Sequence, residues 1–216
     1  MGKLIGVSGK KGSGKSTVTA IIRAIDLYYV LGRPNNTLHT FVHSCIIPNT
    51  FSSFHNVGQS TFAERQFAGS LKEGVAAIFD IGVFNFESQH FKQLNSPIKK
   101  EGGENYTWRE LLQLFGTEIG RQINPNFWTD VLFSKFDPER DNWIVSDVRF
   151  KNEAEAIKER NGFLIRINRN TESLDNHQSE IDLDNYQGFD VVIDNNGTID
   201  ELIEKVHQVM KDYNLI

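Results

Sequence analysis

Gly9-Lys10-Lys11-Gly12-Ser13-Gly14-Lys15-Ser16 fits the pattern G-x-x-x-x-G-K-[ST], and its flanks decide the fold. Before it, Leu4-Ile5-Gly6-Val7 reads as a buried strand. After it, Val18, Ile21, Ile22 and Ile25 form an apolar stripe at helical spacing. Strand, glycine-rich turn and helix together make a phosphate cradle out of what would otherwise be a surface turn. The glycines permit backbone conformations that other residues resist, so successive N–H groups can converge on one phosphate. The start of the helix adds unsatisfied donors and a partial positive charge. Lys15 is placed to reach the β- and γ-phosphates of a nucleoside triphosphate, and the Ser16 hydroxyl to ligate Mg²⁺.

The 216 residues suit one substantial α/β domain with room for an inserted lid or substrate region. Net charge is −5 and 24% of residues are charged, so no basic footprint for a nucleic-acid backbone is present. An anionic substrate then needs a local cluster of cations rather than a global field. The single cysteine, Cys45, excludes an internal disulfide and suits a reducing compartment, either as a small buried hydrophobe or as a reactive thiol. No apolar stretch long enough to cross a membrane occurs, and no secretory core precedes Lys10. A soluble, cytoplasmic protein without nucleic-acid or membrane partners is expected.

Periodicity and punctuation place a strand at Lys3–Ser8 and a helix from Lys15 to about Leu31, ended by Gly32 and Pro34. Thr37–Ile47 is read as a strand, Pro48–Gln59 as loop and Thr61–Phe79 as a helix. Phe84–Asn105, polar and interrupted by Pro97 and Gly102-Gly103, is read as a mobile excursion. Thr107–Ile123 is read as a helix opened by a capping box, Thr107 with Glu110, and Trp128–Phe136 as another. Strands follow at Asn142–Asp147, Phe163–Asn168 and Phe189–Asp194, alternating with helices at Phe150–Asn161 and Thr198–Tyr213. Such alternation implies a parallel sheet with helices on both faces.

Two further stretches carry chemistry. Ser146-Asp147-Val148-Arg149 ends an apolar strand in an acid, where ligands bind in open α/β sheets. Asp147 there holds Mg²⁺ or its water, orients a substrate hydroxyl, or caps the next helix. Arg149 offers a bidentate fork suited to phosphate oxygens. Glu153, one turn on, either orients Arg149 or is a solvated helical acid. In the helix from Thr107, Arg109, Gln113, Gly116 and Thr117 fall on one polar face, opposite Leu111, Leu112, Leu114, Phe115 and Ile119. A glycine inside a helix costs about 1 kcal/mol relative to alanine, so Gly116 suggests close approach of a ligand. Trp128 is either a platform for a base or part of the core.

Taken together, Gly9–Thr17, Phe67-Ala68-Gly69-Ser70-Leu71-Lys72, Thr107–Arg121 with Trp128, Trp143–Glu153, Leu164–Arg169 and His177-Gln178-Ser179-Glu180 resemble the deoxynucleoside monophosphate kinases of large bacteriophages. The Arg-Glu-Leu-Leu-Gln-Leu-Phe-Gly-Thr-Glu helix paired with Ser-Asp-Val-Arg-Phe-Lys-Asn-Glu is the specific part of the likeness. The resemblance implies a P-loop NTPase of the nucleoside monophosphate kinase-like, three-layer kind. It has a central parallel sheet, a substrate-binding helical region at about 48–136 and a lid at about 163–187. It also implies ATP and Mg²⁺ as cofactors, a deoxynucleoside monophosphate (dNMP) as substrate, and an often dimeric enzyme. By position, ATP falls to Gly12, Ser13, Gly14, Lys15, Ser16, Thr17 and Arg169, and the metal to Ser16 and Asp147. The dNMP falls to Lys10, Lys72, Arg109, Gln113, Gly116, Thr117, Arg121, Trp128 and Asp147. The transfer step falls to Lys15, Asp147, Arg149 and Glu153.

Two departures stand out. The family usually has Asp-Pro where this chain has Gly69-Ser70, and a proline after the arginine now numbered Arg169, where this chain has Asn170. His177 and Glu180 match the family without a mechanism, and a structural cap accounts for them equally. Asn195-Asn196-Gly197 either borders the adenine or is a plain turn.

The expected activity is ATP-dependent phosphorylation of dNMPs to diphosphates, supplying phage DNA synthesis. The rivals are a kinase of dephospho-coenzyme A or of nucleosides, a GTP switch, a DNA-translocating ATPase and a non-catalytic nucleotide binder. The GTP switch lacks its Asn-Lys-x-Asp motif, and the acidic, short chain counts against the motor.

Overall fold

Leu4-Ile5-Gly6-Val7 is apolar on both faces of its pleat, as a strand covered on both sides must be, and it lies at the centre of a sheet. The computed structural model describes residues 2–32, 37–46, 60–170 and 181–216. In chain order its elements are β1 (Leu4–Gly9), α1 (Lys15–Val30), α2 (Leu38–Ile46), β2 (Ala63–Arg65), α3 (Phe67–Ile78), a 3-10 turn (Val83–Glu87), α4 (Gln89–Gln93), β3 (Asn95–Lys99), β4 (Asn105–Thr107) and α5 (Trp108–Gln113). A π-helical stretch (Leu114–Ile119) leads into α6 (Gly120–Ile123). Then come α7 (Phe127–Phe133), β5 (Trp143–Val148), α8 (Lys151–Lys158), β6 (Phe163–Asn168), β7 (Val191–Asp194) and α9 (Ile199–Asp212). Two compact units result: Met1–Arg65 with Asp137–Ile216, and Gln66–Phe136.

The first unit is built on a five-stranded sheet of order β2-β5-β1-β6-β7, with every neighbouring pair parallel. Side chains alternate across a strand, and β1 shows both sides at work. Ile5 and Val7, fully buried, join Val18, Ile21 and Ile25 of α1, Val42 of α2 and Val206 of α9 in one cluster. On the opposite face a Cβ added to Gly6 would fall 2.6 Å from Leu164 and 2.7 Å from Ile157 of α8. The missing side chain lets α8 press on the sheet. Helices therefore cover both faces, giving the expected three-layer α/β fold. Each fully buried Ile or Leu contributes roughly 1.5–3 kcal/mol relative to exposure.

The strand expected at Thr37–Ile47 is a helix. Leu38, Phe41, Val42 and Cys45 recur at i, i+3, i+4 and i+7, a helical stripe, and Phe41, Val42 and Cys45 are buried. Ile47 lies outside the described residues, as does the expected loop at 48–59. The helix expected over Thr61–Phe79 begins only at Phe67, because Ala63–Arg65 pairs with β5. The buried carboxylate of Asp26 on α1 secures that edge, accepting from Ser60 Oγ (2.7 Å) and Thr61 N (2.7 Å). A strand of three residues is too short to show its period in sequence.

The second unit corrects the excursion expected at Phe84–Asn105. That stretch is the 3-10 turn, α4 and an antiparallel β3–β4 hairpin. Trp108 organises it. Phe91 stacks on the indole (centroids 5.6 Å, planes 15° apart), while Phe79 and Phe86 meet it edge-on at 5.0 and 5.8 Å. Phe86 and Phe91, hidden in a polar stretch, thus join Phe79 to build this core. The capping box at Thr107 forms as expected: Thr107 Oγ1 accepts from Glu110 N (3.2 Å), and Glu110 Oε2 accepts from Thr107 N (2.8 Å). The helix it opens does not run uniformly to Ile123, since Leu114–Ile119 is π-helical. The last expected helix of this unit occupies Phe127–Phe133 rather than Trp128–Phe136.

Lys100 Nζ donates to Glu110 Oε1 at 2.7 Å. That bond, with those from Thr107, holds the Glu110 carboxyl down at about 2, from 4.5. A carboxyl depressed on folding stabilises fully above its unfolded value and loses that contribution as pH falls towards its folded value. Denaturant unfolding of wild type and Glu110→Gln should therefore differ by a constant amount near neutral pH. The difference should shrink between pH 4.5 and about 2. A gap that persists unchanged to the acid end would show that the charge of Glu110 does not act there.

Candidate active site

The glycines of the phosphate-binding loop take up the backbone their sequence predicts. Gly12 (φ +79°) and Gly14 (φ +99°) lie in the left-handed region, where a Cβ is strained. Ser13 N–H donates to Lys10 O (3.1 Å), closing the turn, and Val18 N–H to Gly14 O (2.9 Å), opening α1. The start of α1 has no capping side chain and no acid in its first turn. By contrast α5 and α9 begin with complete capping boxes, Thr107 with Glu110 and Thr198 with Glu201. Helix-terminal N–H groups left without a side-chain cap are donors for a bound anion. Lys15 Nζ reaches back across the loop to Gly9 O (2.5 Å) and Lys10 O (2.9 Å). Ser16 is exposed and Thr17 half-buried.

The sheet's connections diverge beside this loop. From β1 the chain passes to α1 on one face; from the adjacent β5 it passes to α8 on the other. Ligands of open α/β sheets bind at such a divergence, outside the carboxyl ends of the strands. A bulge occurs there: Gly6 pairs with Val145 and Ser8 with Val148, so Ser146 and Asp147 together oppose Val7. Bulges re-aim side chains beside functional sites. Ser146 is buried and its Oγ donates to Glu64 Oε1 (2.6 Å), while Asp147 is half-exposed.

Phe150 rather than Asp147 takes the position that opens α8, so capping does not account for Asp147. The cap comes from Glu153. Its Oε2 accepts from the backbone N–H of Arg149 (2.8 Å) and of Phe150 (3.1 Å), and the residue is 3% exposed. Glu153 is thus no solvated acid. It fixes the turn that carries Arg149 through the main chain.

Several residues at this end of the sheet were not assigned from sequence. Arg166 on β6 donates to Ser8 Oγ (3.1 Å) and Asp184 Oδ1 (3.1 Å), and lies over the Phe189 ring. Asp184 Oδ2 also pairs with Lys10 Nζ (2.9 Å), so one carboxylate links a loop lysine to a strand arginine. A cation inside the apolar run Leu164-Ile165-Arg166-Ile167 was the available signal. Asn195, left open between turn and adenine border, is buried and donates from Nδ2 to Ser13 O (2.8 Å). Arg169 is exposed just past β6. His177, Glu180 and the middle of the expected lid, 171–180, lie outside the described residues.

In the second unit, Arg109 NH2 donates to Gln89 Oε1 (2.7 Å), and its buried Nε has no hydrogen-bond partner among the described residues. Gln113 follows one turn on and is exposed. Beyond it the expected polar face breaks up. A π turn takes an extra residue, so Gly116, Thr117 and Arg121 do not keep the angular positions that a 3.6-residue period gives them. A Cβ on Gly116 would fall 2.9 Å from Leu71 Cδ2, the movable end of that side chain. Gly120 has the firmer packing reason to be glycine, with the Trp128 ring at 2.8–3.0 Å. Trp128 meets Phe127 edge-on, and its Nε1 donates to Gly116 O (2.7 Å), a bond that braces the π stretch. Thr117 is half-buried, and Arg121 NH1 donates to Pro125 O (3.3 Å). Lys72, 12% exposed, is held by Gln66 Oε1 and Glu87 Oε1, each at 2.9 Å.

The deoxynucleotide monophosphate kinase family profile matches residues 55–206, well over half of the chain. The chain belongs to this family. A protein of Acanthamoeba polyphaga mimivirus, whose name marks it as a candidate deoxynucleotide monophosphate kinase, is 28% identical over 217 residues, covering 94% of this chain and 93% of its own. The deoxynucleoside-5′-monophosphate kinase of Escherichia phage T5 is 29% identical over 188 residues, 74% of each chain. The deoxynucleotide monophosphate kinase of Enterobacteria phage T4 is 27% identical over 143 residues, 60% of this chain and 59% of that one. Among solved structures, a dephospho-CoA kinase from Campylobacter jejuni aligns over 99% of this chain and 98% of its own, with 17% identity and a TM-score of 0.45. No described helix is long and apolar enough to cross a membrane.

Trp128→Phe keeps an aromatic body and removes the indole donor. With the Gly116 carbonyl unpaired, unfolding should shift by about 1 kcal/mol, and amide exchange over Leu114–Ile119 should quicken. Unchanged exchange in that stretch would mean the indole does not brace it.

Proposed function

We propose that this chain transfers the γ-phosphoryl group of ATP to a deoxynucleoside 5′-monophosphate, giving the diphosphate and ADP. The observation that carries the reading is the start of α1, without a side-chain cap, behind a glycine loop in a chain of this family. In this reading the triphosphate takes the donors of Gly12–Thr17. Lys15 exchanges its two loop carbonyls for phosphate oxygens. Arg169, exposed beyond β6, is free to swing onto the same phosphates as part of a lid around 163–187 that keeps water from the donor.

The donor set suits Mg²⁺: an exposed Ser16 hydroxyl and the half-exposed Asp147 carboxylate offer hard oxygens, and the nucleotide phosphates and waters complete such a site. When bound, the ion neutralises charge that develops on the phosphate oxygens. No covalent enzyme intermediate is required. An acceptor phosphate oxygen attacks in line, and the protein's work is positioning and charge compensation. Arg149, on the turn that Glu153 fixes, supplies a guanidinium for the transferring group.

On the acceptor side the reading gives Arg109 the dNMP phosphate, because its buried Nε retains a donor to spend. Gln113, one turn along, Thr117 and Arg121 are proposed to line the same pocket. Lys10 and Lys72 are proposed to exchange Asp184 and Glu87 for oxygens of the substrate. Trp128 and Gly116 support it through the braced π stretch. Such an enzyme would work in the cytoplasm of an infected cell, feeding DNA synthesis.

A coupled ADP-release assay with each dNMP, with dephospho-coenzyme A and with nucleosides tests this reading. Turnover is expected with one or more dNMPs and with neither alternative class. Lys15→Ala should abolish transfer with its circular dichroism unchanged, and near-normal turnover would sink the cradle assignment. Arg109→Gln should raise the KM for dNMP on the order of tenfold, the scale of one charge-assisted hydrogen bond. It should leave the KM for ATP alone; a rise in the ATP value instead would move Arg109 to the donor side.

A further inference from the structure

Asn195 follows the last residue of β7, and both its ends are committed. Its backbone N–H donates to Asn168 O (2.8 Å), extending the β6–β7 pairing by one bond. Its side chain, 8% exposed, donates from Nδ2 to Ser13 O (2.8 Å) inside the glycine loop, 182 residues away in sequence. The next residue repeats the tie, with Asn196 Oδ1 accepting from Asn170 N (2.8 Å) beside Arg169. Ser13 is itself buried, yet its hydroxyl has no hydrogen-bond partner among the described residues. The loop peptide at this point is therefore held by the asparagine, not by its own side chain.

In a planar trans peptide the carbonyl oxygen and the following N–H point in opposite directions. A donor that fixes Ser13 O therefore also fixes the direction of Gly14 N–H. We propose that Asn195 is a positioning residue for the triphosphate. By holding the Ser13–Gly14 peptide, it aims the Gly14 N–H at a bound phosphate before the nucleotide arrives. Gly14 fits the same assignment. Its φ of +99° disfavours any side chain, and a Cβ there would lie 2.4 Å from Asn195 Nδ2, in the space the amide occupies. The amide suits the role because it donates without charge. A lysine would compete for the phosphate, and a carboxylate would repel both Ser13 O and the ligand. The proposal rests on the loop's being the triphosphate site and adds how that loop is held ready.

Tripolyphosphate, which has no base, separates this role from a contact to adenine. Titration calorimetry on the full chain should show Asn195→Ala weakening Mg-tripolyphosphate and Mg-ATP by the same factor, about tenfold. The dNMP affinity should be unchanged. Asn195→Asp, nearly the same shape, should lose more at neutral pH and recover relative to wild type as pH falls, because only its protonated carboxyl can donate to Ser13 O. That comparison decides the matter if the alanine variant folds poorly. Loss for ATP with none for tripolyphosphate would make Asn195 a base contact and overturn the proposal. Equal binding by wild type and both variants would overturn it as well. Wild type that binds neither ligand would remove the triphosphate site itself, and the role of Asn195 with it.

Discussion

A helix that starts without a side-chain cap leaves several backbone N–H groups to be satisfied from outside the chain. The protein leaves α1 in this state directly behind its glycine loop, as it also leaves α3 and α7 elsewhere. It caps α5 and α9 with threonine–glutamate boxes and sends Glu153 to the turn before α8, yet gives α1 only Gly14 and a lysine. With no acid in that first turn, α1 itself sets no carboxylate against the anion. The rest of the first unit serves to hold this end steady. β1 is buried on both faces, α1 is anchored through Val18, Ile21 and Ile25, and the loop between them is tied to β7 by Asn195.

An acidic protein that handles anionic ligands needs its cations placed and restrained. The net charge of −5 gives no long-range attraction, so selectivity comes from short-range donors. The restraint is visible in pairs. Lys10 and Arg166 share Asp184, and Lys72 lies between Gln66 and Glu87. The partly exposed Lys10–Asp184 pair contributes little stability, whereas the Lys72 and Arg166 side chains are only 12% exposed. Buried Glu153 accepts from two main-chain N–H groups, and through them it shapes the turn before α8.

Most of the first unit could be read from sequence because its signals are local. A glycine loop between an apolar strand and an apolar helical stripe has few other solutions, and β6 falls on the residues expected of it. The failures share a physical cause. Thr37–Ile47 carries a helical stripe inside a β-branched, aromatic composition, and burial of that stripe against the core outweighs the strand preference of its residues. Ala63–Arg65 is a strand because β5 lies beside it, which no local pattern records. The hairpin of the second unit depends on Phe79, Phe86 and Phe91 meeting Trp108, contacts scattered across thirty polar-looking positions. At the site, spacing found the chain segments but not the partners: Asp184, Ser8 and Asn195 enter through tertiary contact alone.

The π stretch shows how far helical arithmetic can be carried. Counting at 3.6 residues per turn places Arg109, Gln113, Gly116 and Thr117 on one face, and the count holds only while the hydrogen bonds run i to i−4. Gly116 and Gly120 clear space for Leu71 and Trp128, and Trp128 donates to the carbonyl that the wider turn presents. Such a turn costs stability unless something braces it, and here the brace is a half-buried indole donor with an aromatic neighbour. Gly120 records a side chain in contact with the helix, the Trp128 indole, and the wider turn moves Gly116, Thr117 and Arg121 off the angular positions that a regular helix would give them.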